Sequence, residues 1–423
     1  MFNYVKWVAT PVLFATALSG AALAQDTTIS IISKEGVFTE GKDGAANAAG
    51  FDILQAYAAE NPGISFDTRE VPFPELDSTQ YASMESGKGP DIMVVNSVTV
   101  GSFIDRGYLM PMNDLIDANG LDTDIFYEGM RASAVYNDLV FGLPIDTGTR
   151  VLYYNKKMFA DAGLTPPTNW SEVLPLAEQL TDAESGTYGF VATSGQRWVW
   201  LYEHAGMYAL ANGLRFVNED ATECVLNQGD NIQAIQYWVD MFEKGVVSQD
   251  ALMTGTGVER EQGFGNNKAA MYLGGFWSAG NLEKSYGMTY PDDYGIVVLE
   301  GADGVGSPTG GWVMAVTRDS KNPQEAFDFI AYLLGDPERL ASFTSLMPAT
   351  QAASALTLQG EFFEPFKDLL ASPNTVHPIP LNPGLPEQAE VLRNVTQSAI
   401  LGEMTAQEAA DSFCAQIDGT LFN

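Results

Sequence analysis

The chain has 423 residues, and its 54 acidic side chains outnumber its 21 basic ones to give a formal net charge of −33 at pH 7. So acidic a surface repels nucleic acid and anionic membranes, which argues against both as partners. Hydrophobic residues make up 46% of the chain and charged residues 18%, which is typical of a globular protein with sizeable cores. The sequence has only two histidines, His204 and His377, so we expect no zinc site, no histidine-based catalytic centre and no cofactor.

Residues 1–24 are predicted to be a secretory signal peptide. One early cation, Lys6, precedes an apolar run over residues 8–22, and Ala22, Leu23 and Ala24 form an A-x-A cleavage pattern. The run is interrupted by polar residues and is too short for a transmembrane anchor, which needs about 20 apolar residues. No cysteine lies at the cleavage point, so we expect no lipid anchor there. The sequence therefore predicts export to the periplasm.

Strands and helices alternate in the first part of the mature chain. The hydrophobic pattern predicts strands over 28–32, 64–71 and 91–95, and helices over 45–60 and 75–86. Strands that alternate with helices imply an α/β fold with a parallel sheet covered on both faces.

The same pattern restarts after residue 150. Strands are predicted over 151–154 and 269–273, and amphipathic helices over 169–180, 231–244 and 322–335. The last helix should begin at Thr405, where Glu408 completes a capping box. No Pro/Ser-rich linker separates the two parts, which indicates two lobes joined by chain crossovers.

The two cysteines, Cys224 and Cys414, leave two states open. An exported protein with an even number of cysteines favours a disulfide. Cys414, however, falls on the apolar stripe of the last predicted helix, which favours a buried thiol. Sequence separation cannot test the geometry that a bridge needs, so both states stay open.

Four segments, in this order and at this spacing, resemble the family 1 extracellular solute-binding proteins of ABC sugar importers, the maltose-binding-protein-like group. The segments are GPDIMVVN at 89–96 with FIDRGYL at 103–109, GLP at 142–144 continuing to LYYNK at 152–156, FGNNKAAM at 264–271 leading to GGFW at 274–277, and GGWVMAV at 310–316 followed by the helix over 326–334. One departure is Asn267, where the family usually has glycine before the lysine, and it concerns a structural helix.

The resemblance implies a periplasmic binding protein fold of two α/β lobes around a ligand cleft. Three crossovers, near 146–149, 307–311 and 345–349, would form the hinge. The N-terminal lobe would comprise residues 25–146 and 311–346, and the C-terminal lobe residues 147–310 and 347–423. The resemblance further implies a monomer that closes on a sugar and delivers it to the permease of an ABC importer in the inner membrane.

Polar side chains near the carboxyl ends of predicted strands are the first candidate ligand contacts, because ligands bind at that edge of open α/β sheets. Asn96 and Ser97 follow the strand over 91–95, and Ser33 and Glu35 occupy the equivalent place after the first strand. Glu70 lies near the end of the next strand. Loop capping is the alternative role for each of these residues.

Two further polar candidates lie near the first crossover. Asp146 is placed either to hold a ligand hydroxyl or to fix the hinge, and Arg150 follows it closely. The two roles of Asp146 stay open. With so few cations in the chain, an anionic ligand is less expected, although one well-placed arginine, such as Arg197, would reverse that inference.

Aromatic side chains are the second set of candidates, because sugars present flat C–H faces that pack on aromatic rings. Trp277 follows two glycines in a predicted loop and matches a stacking aromatic of the family. Trp312 lies at the second crossover and is also a candidate. In the cluster that begins at Arg197, Trp198 is the expected ligand contact and Trp200 the expected core residue.

The main alternative of a different class is an extracellular glycosidase. No G-x-S-x-G elbow is present, and a pair of carboxylates has no diagnostic weight among 54 acids. Other solutes also stay open: a polyol, a glycerol phosphate ester or ferric iron. Iron would need Tyr153 and Tyr154 together, whereas neighbouring residues of a strand point to opposite faces. The sequence thus predicts a solute-binding protein that is not an enzyme.

Overall fold

The computed structural model describes residues 26–39, 48–252, 257–344 and 346–421. The predicted signal peptide lies outside these residues. The strands are β1 (Thr27–Lys34), β2 (Ile64–Val71), β3 (Ile92–Asn96), β4 (Val135–Tyr136), β5 (Leu139–Val140), β6 (Leu143–Pro144), β7 (Asp146–Thr147), β8 (Arg150–Asn155), β9 (Tyr188–Phe190), β10 (Ala269–Gly275), β11 (Tyr294–Val297), β12 (Glu300–Gly301), β13 (Gly304–Val305), β14 (Trp312–Val316) and β15 (Met347–Pro348).

Helices cover the faces of the sheets. They are α1 (Ala48–Glu60), α2 (Phe73–Glu85), α3 (Val100–Asp105), α4 (Asn113–Asn119), α5 (Glu128–Arg131), α6 (Lys156–Ala162), α7 (Trp170–Leu180), α8 (Arg197–Val199), α9 (Gly206–Ala211), α10 (Gln233–Glu243), α11 (Gly257–Gly265), α12 (Trp277–Tyr286), α13 (Pro323–Leu334), α14 (Pro337–Phe343), α15 (Gln351–Thr357), α16 (Glu364–Ala371), α17 (Leu385–Ile400) and α18 (Ala406–Ile417). Within the described residues, each helix is too short or too polar to cross a bilayer.

The predicted elements are largely confirmed. Strand β2 has the predicted bounds, and α18 begins at the predicted capping box of Thr405 and Glu408. Strand β1 is longer than predicted and continues through Ser33 to Lys34. Tyr153 and Tyr154 both lie in β8 and pack into different apolar clusters, as neighbours in a strand must.

The first sheet has the strand order β2-β1-β3-β14-β6. Strands β1, β2 and β3 are parallel, but β14 is antiparallel to both β3 and β6. The parallel arrangement predicted for the first three strands is therefore confirmed, whereas the antiparallel strand β14 was not predicted. Strand β14 enters the sheet directly after the chain returns from the other lobe, at the edge where β3 ends, and so it must run in the opposite direction.

The second sheet has the order β11-β8-β10-β9 and is mostly antiparallel for the same reason. Strand β8 begins at Arg150, immediately after the chain has left the first lobe. Between the two sheets, β7 pairs with β15, and the segment over 307–311 leads into β14. The three crossovers that the resemblance implied thus lie side by side between two lobes.

Asp91 explains why the Gly-Pro-Asp motif precedes β3. Its carboxylate accepts hydrogen bonds from the backbone and the hydroxyl of Ser30 in β1, and from Ser320 just before α13. Burial raises the pKa of Asp91, but these hydrogen bonds outweigh burial and lower it overall. The motif therefore ties two strands and one helix of the first lobe together.

The structure also decides between the two states of the cysteines. Cys224 and Cys414 form a disulfide with their Cα atoms 5.3 Å apart. The bridge joins α18 to a segment 190 residues earlier in the chain, within the second lobe.

Candidate functional site

The ends of four strands meet at a cleft between the two sheets. In the first sheet Trp312 pairs with Asn96, and in the second Gly275 pairs with Arg150. The cleft holds a cavity of about 250 Å³. Six of the predicted residues line it: Asn96, Ser97, Arg150, Trp198, Trp277 and Trp312. Others that the sequence analysis did not single out also line it, among them Phe73, Thr147, Gln196, Tyr202 and Glu203.

Arg150 lies at the second-lobe side of the cavity, between two aromatic rings. Its guanidinium is 5.0 Å from the ring centre of Tyr202 and 5.1 Å from that of Trp277. Its Nη1 donates to the carbonyl oxygens of Gly148, at 3.0 Å, and Pro308, at 3.2 Å. Burial lowers the pKa of Arg150 to about 10, so the side chain remains charged at neutral pH.

Trp277 is the first residue of α12, and the two glycines before it, Gly274 and Gly275, lie in β10 and not in the predicted loop. Its half-buried ring lies flat against two glycines: a Cβ atom at Gly148 would lie 3.1 Å from the ring, and one at Gly275 would lie 2.1 Å from it. Only a residue without a side chain fits at Gly275. These glycines therefore fix the ring in the wall of the cavity beside Arg150.

The first lobe contributes a second aromatic surface. Trp312 is 6% exposed, and its ring packs against the ring of Phe73 at 5.7 Å between centres. The Nζ of Lys34 lies 4.7 Å from the centre of the Trp312 ring. Phe73 is 48% exposed and begins α2, directly after the carboxyl end of β2. Phe73 could have been predicted from the sequence, because the rule that selected Asn96, a position just after a strand end, applies to it as well.

One helical segment supplies the remaining wall. Helices α8 and α9 are joined by a π-helical turn over Trp200–Ala205, and Trp198, Tyr202 and Glu203 line the cavity. Trp200 is 1% exposed and packs against core aromatic rings. The side chain of Arg197 lies outside the described part of the structure. The sequence offered no sign of the π turn, which brings Tyr202 and Glu203 to the cavity.

A chain of hydrogen bonds crosses the cleft at Tyr202. The backbone N–H of Gly311 donates to Ser97 Oγ at 3.2 Å, Ser97 is hydrogen-bonded to the Tyr202 hydroxyl, and that hydroxyl contacts Nε2 of His377. Burial lowers the pKa of His377 to about 4, so the imidazole is neutral at physiological pH. This chain joins the end of β3 to two segments of the second lobe.

Asp146 lies behind the cavity wall, where the crossovers meet. One carboxylate oxygen accepts the N–H of Trp312 at 2.8 Å, and the other accepts the hydroxyl of Thr344 at 3.1 Å. Burial raises the pKa of Asp146 to about 6, although Lys34 acts in the opposite direction. Because both carboxylate oxygens accept hydrogen bonds from segments next to the other crossovers, a role in the hinge is favoured over contact with a ligand.

Three predicted residues lie away from the cavity. Ser33 is fully buried inside β1, because the strand is longer than predicted. Glu35 is exposed beyond the strand end. Glu70 accepts hydrogen bonds from the backbone of Gly36 and Phe38 and from the Thr39 hydroxyl, so it holds the loop that follows β1.

A larger cavity of about 560 Å³ shares Ser97 with the first one. Its described lining includes His377 but no tryptophan, tyrosine or phenylalanine. Its one described arginine, Arg215, is paired with Glu219 at 3.0 Å. The smaller cavity, with its aromatic faces, is therefore the better candidate site.

Comparison with known proteins agrees with this architecture. The profile of the bacterial extracellular solute-binding protein family matches residues 44–339. The sn-glycerol-3-phosphate-binding periplasmic protein UgpB of Escherichia coli (strain K12) is 26% identical over 444 residues, covering 96% of this chain and 95% of UgpB.

Solved structures show the same fold. An ABC transporter solute-binding protein from Thermotoga lettingae, bound with α-D-tagatose, superposes with a TM-score of 0.75 at 22% identity and covers 94% of this chain and 100% of its own. The sugar-binding protein MalE from Xanthomonas citri gives 0.78 at 17% identity, with 93% and 97% covered. The two lobes, the crossovers between them and the family profile over most of the chain lead to one conclusion: this chain belongs to the bacterial extracellular solute-binding protein family.

Proposed function

We propose that this protein captures a sugar or a closely related polyhydroxylated solute in the interlobe cleft and delivers it to the permease of an ABC importer. The observation that carries the proposal is the lining of the cavity. Aromatic faces come from both lobes, with Trp198 and Trp277 on one side and Trp312 and Phe73 on the other. Flat C–H faces of a sugar pack well between such rings.

Polar groups in the same cavity suit the edges of a sugar. Asn96, Gln196 and Arg150 present amide and guanidinium groups, and Glu203 presents a carboxylate. Hydrogen bonds from hydroxyls to charged groups are among the strongest that proteins form. The volume of about 250 Å³ lies just below the range of ≈ 300–1,000 Å³ that is typical of drug-sized ligands, which favours a small solute.

The names of the relatives support the same class of ligand. UgpB is named for glycerol phosphate, one solved neighbour holds tagatose, and another is described as sugar-binding. Tagatose and glycerol phosphate both present several hydroxyls on a short carbon chain. We propose the periplasm as the location, the inner-membrane permease as the partner, a monomer as the working form and no catalytic activity.

A thermal-shift screen of sugars and polyols tests the proposal. A true ligand at a hundredfold excess over its dissociation constant stabilises the protein by about 2.7 kcal/mol, because it binds only the folded state. The glycosidase alternative is tested on the same samples by mass spectrometry, since a binding protein returns an oligosaccharide intact. The proposal is wrong if no sugar or polyol shifts the melting temperature while ferric iron or an oligopeptide does.

A further inference from the structure

We propose that Arg150 is the receptor for an oxyanion, and that the natural solute is therefore a hydroxylated carbon skeleton that carries a carboxylate or a phosphate group. This inference rests on the proposed function, because it adds a charge to the solute expected in the same cavity. It assigns to the cleft a preference that the net charge of −33 would not suggest.

The first observation is that no carboxylate of the described residues pairs with the charge of Arg150. Among the described residues, no salt bridge joins Arg150 to a carboxylate, and its Nη1 is bound only to the carbonyl oxygens of Gly148 and Pro308. Its Nε is buried without a hydrogen-bond partner. Arg150 is half-buried, and a partly desolvated charge without a counter-charge is costly, so we infer that a ligand supplies the missing charge.

The second observation is that the surroundings of Arg150 favour an anion. The rings of Tyr202 and Trp277 cover part of the half-buried guanidinium, which reduces its contact with water and strengthens its attraction for charge inside the cavity. A second cation, Arg260, lies close enough for Arg150 to lower its pKa, while His377 nearby is neutral and adds no negative charge. The carboxylate in the cavity lining, Glu203, is in contact with Arg260, so its charge is already balanced.

The third observation is geometric. A guanidinium offers five N–H donors in a planar fork that matches a carboxylate or a phosphate. Carbonyl oxygens hold one end of the fork of Arg150, which fixes its orientation, while the side chain lines the cavity next to Trp277. An oxyanion on Arg150 would thus place the attached sugar skeleton beside the Trp277 ring, where aromatic packing is available.

Calorimetry on the mature protein with matched solutes tests the inference. The probes are glucuronate and galacturonate, glucose 6-phosphate, and the neutral parents glucose and galactose, all in the same buffer. We expect at least one anionic probe to bind about tenfold to a hundredfold more tightly than its neutral parent, as a charged hydrogen-bonded pair would give. The uronate and phosphate arms show which oxyanion is preferred.

Two variants and a control assign the preference to Arg150. Arg150→Gln should abolish the ratio between anionic and neutral affinities, and Arg150→Lys should retain part of it. Arg318→Gln is the matched control, because Arg318 also lies over an aromatic ring, that of Tyr108 at 5.0 Å, but outside the cleft and next to Asp319. It should leave the ratio unchanged.

The outcomes separate this inference from the proposed function. If neutral sugars bind as tightly as their anionic partners in the wild-type protein, the oxyanion inference is overturned and the solute-binding proposal stands. If anions are preferred and Arg150→Gln keeps that preference, Arg150 is not the receptor. If neither class binds, and a wider panel of sugars and polyols also fails, the proposed function and this inference are both wrong. Because the wild-type comparison needs no variant, an Arg150 variant that fails to fold does not block the test.

Discussion

Arg150 and Arg260 are two arginines near the same cleft, and burial lowers the pKa of each to about 10. The Nε of each is buried without a partner, and each donates through Nη1 to a backbone carbonyl oxygen. The difference lies in the carboxylates. Arg260 contacts Glu203 and is attracted by Glu261, whereas no salt bridge reaches Arg150 in the described part of the chain.

The comparison shows how one residue type serves two purposes in one lobe. Arg260 is buried and Arg150 is half-buried, yet burial lowers the pKa of both to about 10, and among the described residues only Arg260 has a carboxylate partner. The charge of Arg260 is paired with Glu203, a residue of the cavity wall, so Arg260 has a structural role. Arg150 has carbonyl and aromatic contacts but no carboxylate partner among the described residues, which leaves its charge available to a solute. Stability and affinity should therefore depend on different arginines.

The largest expected effect is on the free energy of unfolding when Arg260 is replaced. Arg260→Met leaves Glu203 and Glu261 without their cation, and breaking a buried pair in this way costs about 3–5 kcal/mol. Arg150→Met removes an unpaired charge and should cost about 1 kcal/mol or less. Urea unfolding of both variants measures this, and an equal loss would show that the two arginines are both structural.

A pair of tryptophans extends the same contrast to the aromatic residues. Trp200 is a core residue, and Trp200→Ala should cost about 3–5 kcal/mol of stability. Trp277→Ala should lower solute affinity about tenfold or more while changing the melting temperature of the free protein little, because its ring is half-buried in the cavity wall. A large loss of stability in Trp277→Ala would instead make Trp277 part of the core.

The disulfide provides a test in which stability should change and affinity should not. Replacing Cys224 and Cys414 together by serine should cost about 2–5 kcal/mol, because the bridge restricts the unfolded chain over 190 residues. Neither cysteine lines the cavity. Denaturant unfolding and calorimetry on the double variant measure the two effects, and an affinity change as large as that of Trp277→Ala would couple the bridge to the site.

A smaller effect is expected at the hydrogen-bond chain across the cleft. Tyr202→Phe removes the hydroxyl between Ser97 and His377 and leaves a buried imidazole nitrogen unpaired, at a cost of about 1–3 kcal/mol. The two lobes lose the hydrogen bond between Ser97 and Tyr202, so the radius of gyration of the free protein in small-angle scattering should increase. An unchanged radius would mean that the crossovers alone set the closure.

The smallest expected effect is a change in pH dependence. Burial depresses the pKa of His377 to about 4 in the folded protein, against 6.5 when exposed, so stability is lost as the pH falls below about 6.5. His377→Gln should remove about 1 kcal/mol of that loss between about pH 7.5 and 5.5. Asp146 acts with the opposite sign, because its pKa is raised to about 6 and protonation then favours the folded state.

The two arginines differ in this measurement too. Arg150 contributes to the low pKa of His377, so Arg150→Gln should raise that pKa and make the acid-side loss of stability smaller. Arg260→Gln should not, since Arg260 does not act on His377. NMR titration of the His377 ring measures the pKa in both variants. An equal shift in both would remove the electrostatic distinction between the two positions.

Local chemistry made part of the structure predictable. The capping box at Thr405, the bounds of β2 and the buried run at β3 follow from patterns within a few residues of each other. The order of four motifs then predicted the family and the two-lobed fold. Asn96 and Ser97 could be proposed as site residues because a strand end is itself a local feature, and Trp312 because it follows two glycines at the crossover that the resemblance implied.

The sequence alone therefore determined the elements, the family and most of the aromatic lining, because these depend on short-range periodicity or on motif order. Only the tertiary structure decided the antiparallel direction of β14, the disulfide, the burial of Ser33 and the role of Tyr202. Only the tertiary structure, too, shows that no carboxylate of the described residues forms a salt bridge with Arg150. The physical reason is that the cleft joins segments far apart in the chain, so whether a charge has a partner depends on packing that no local pattern records.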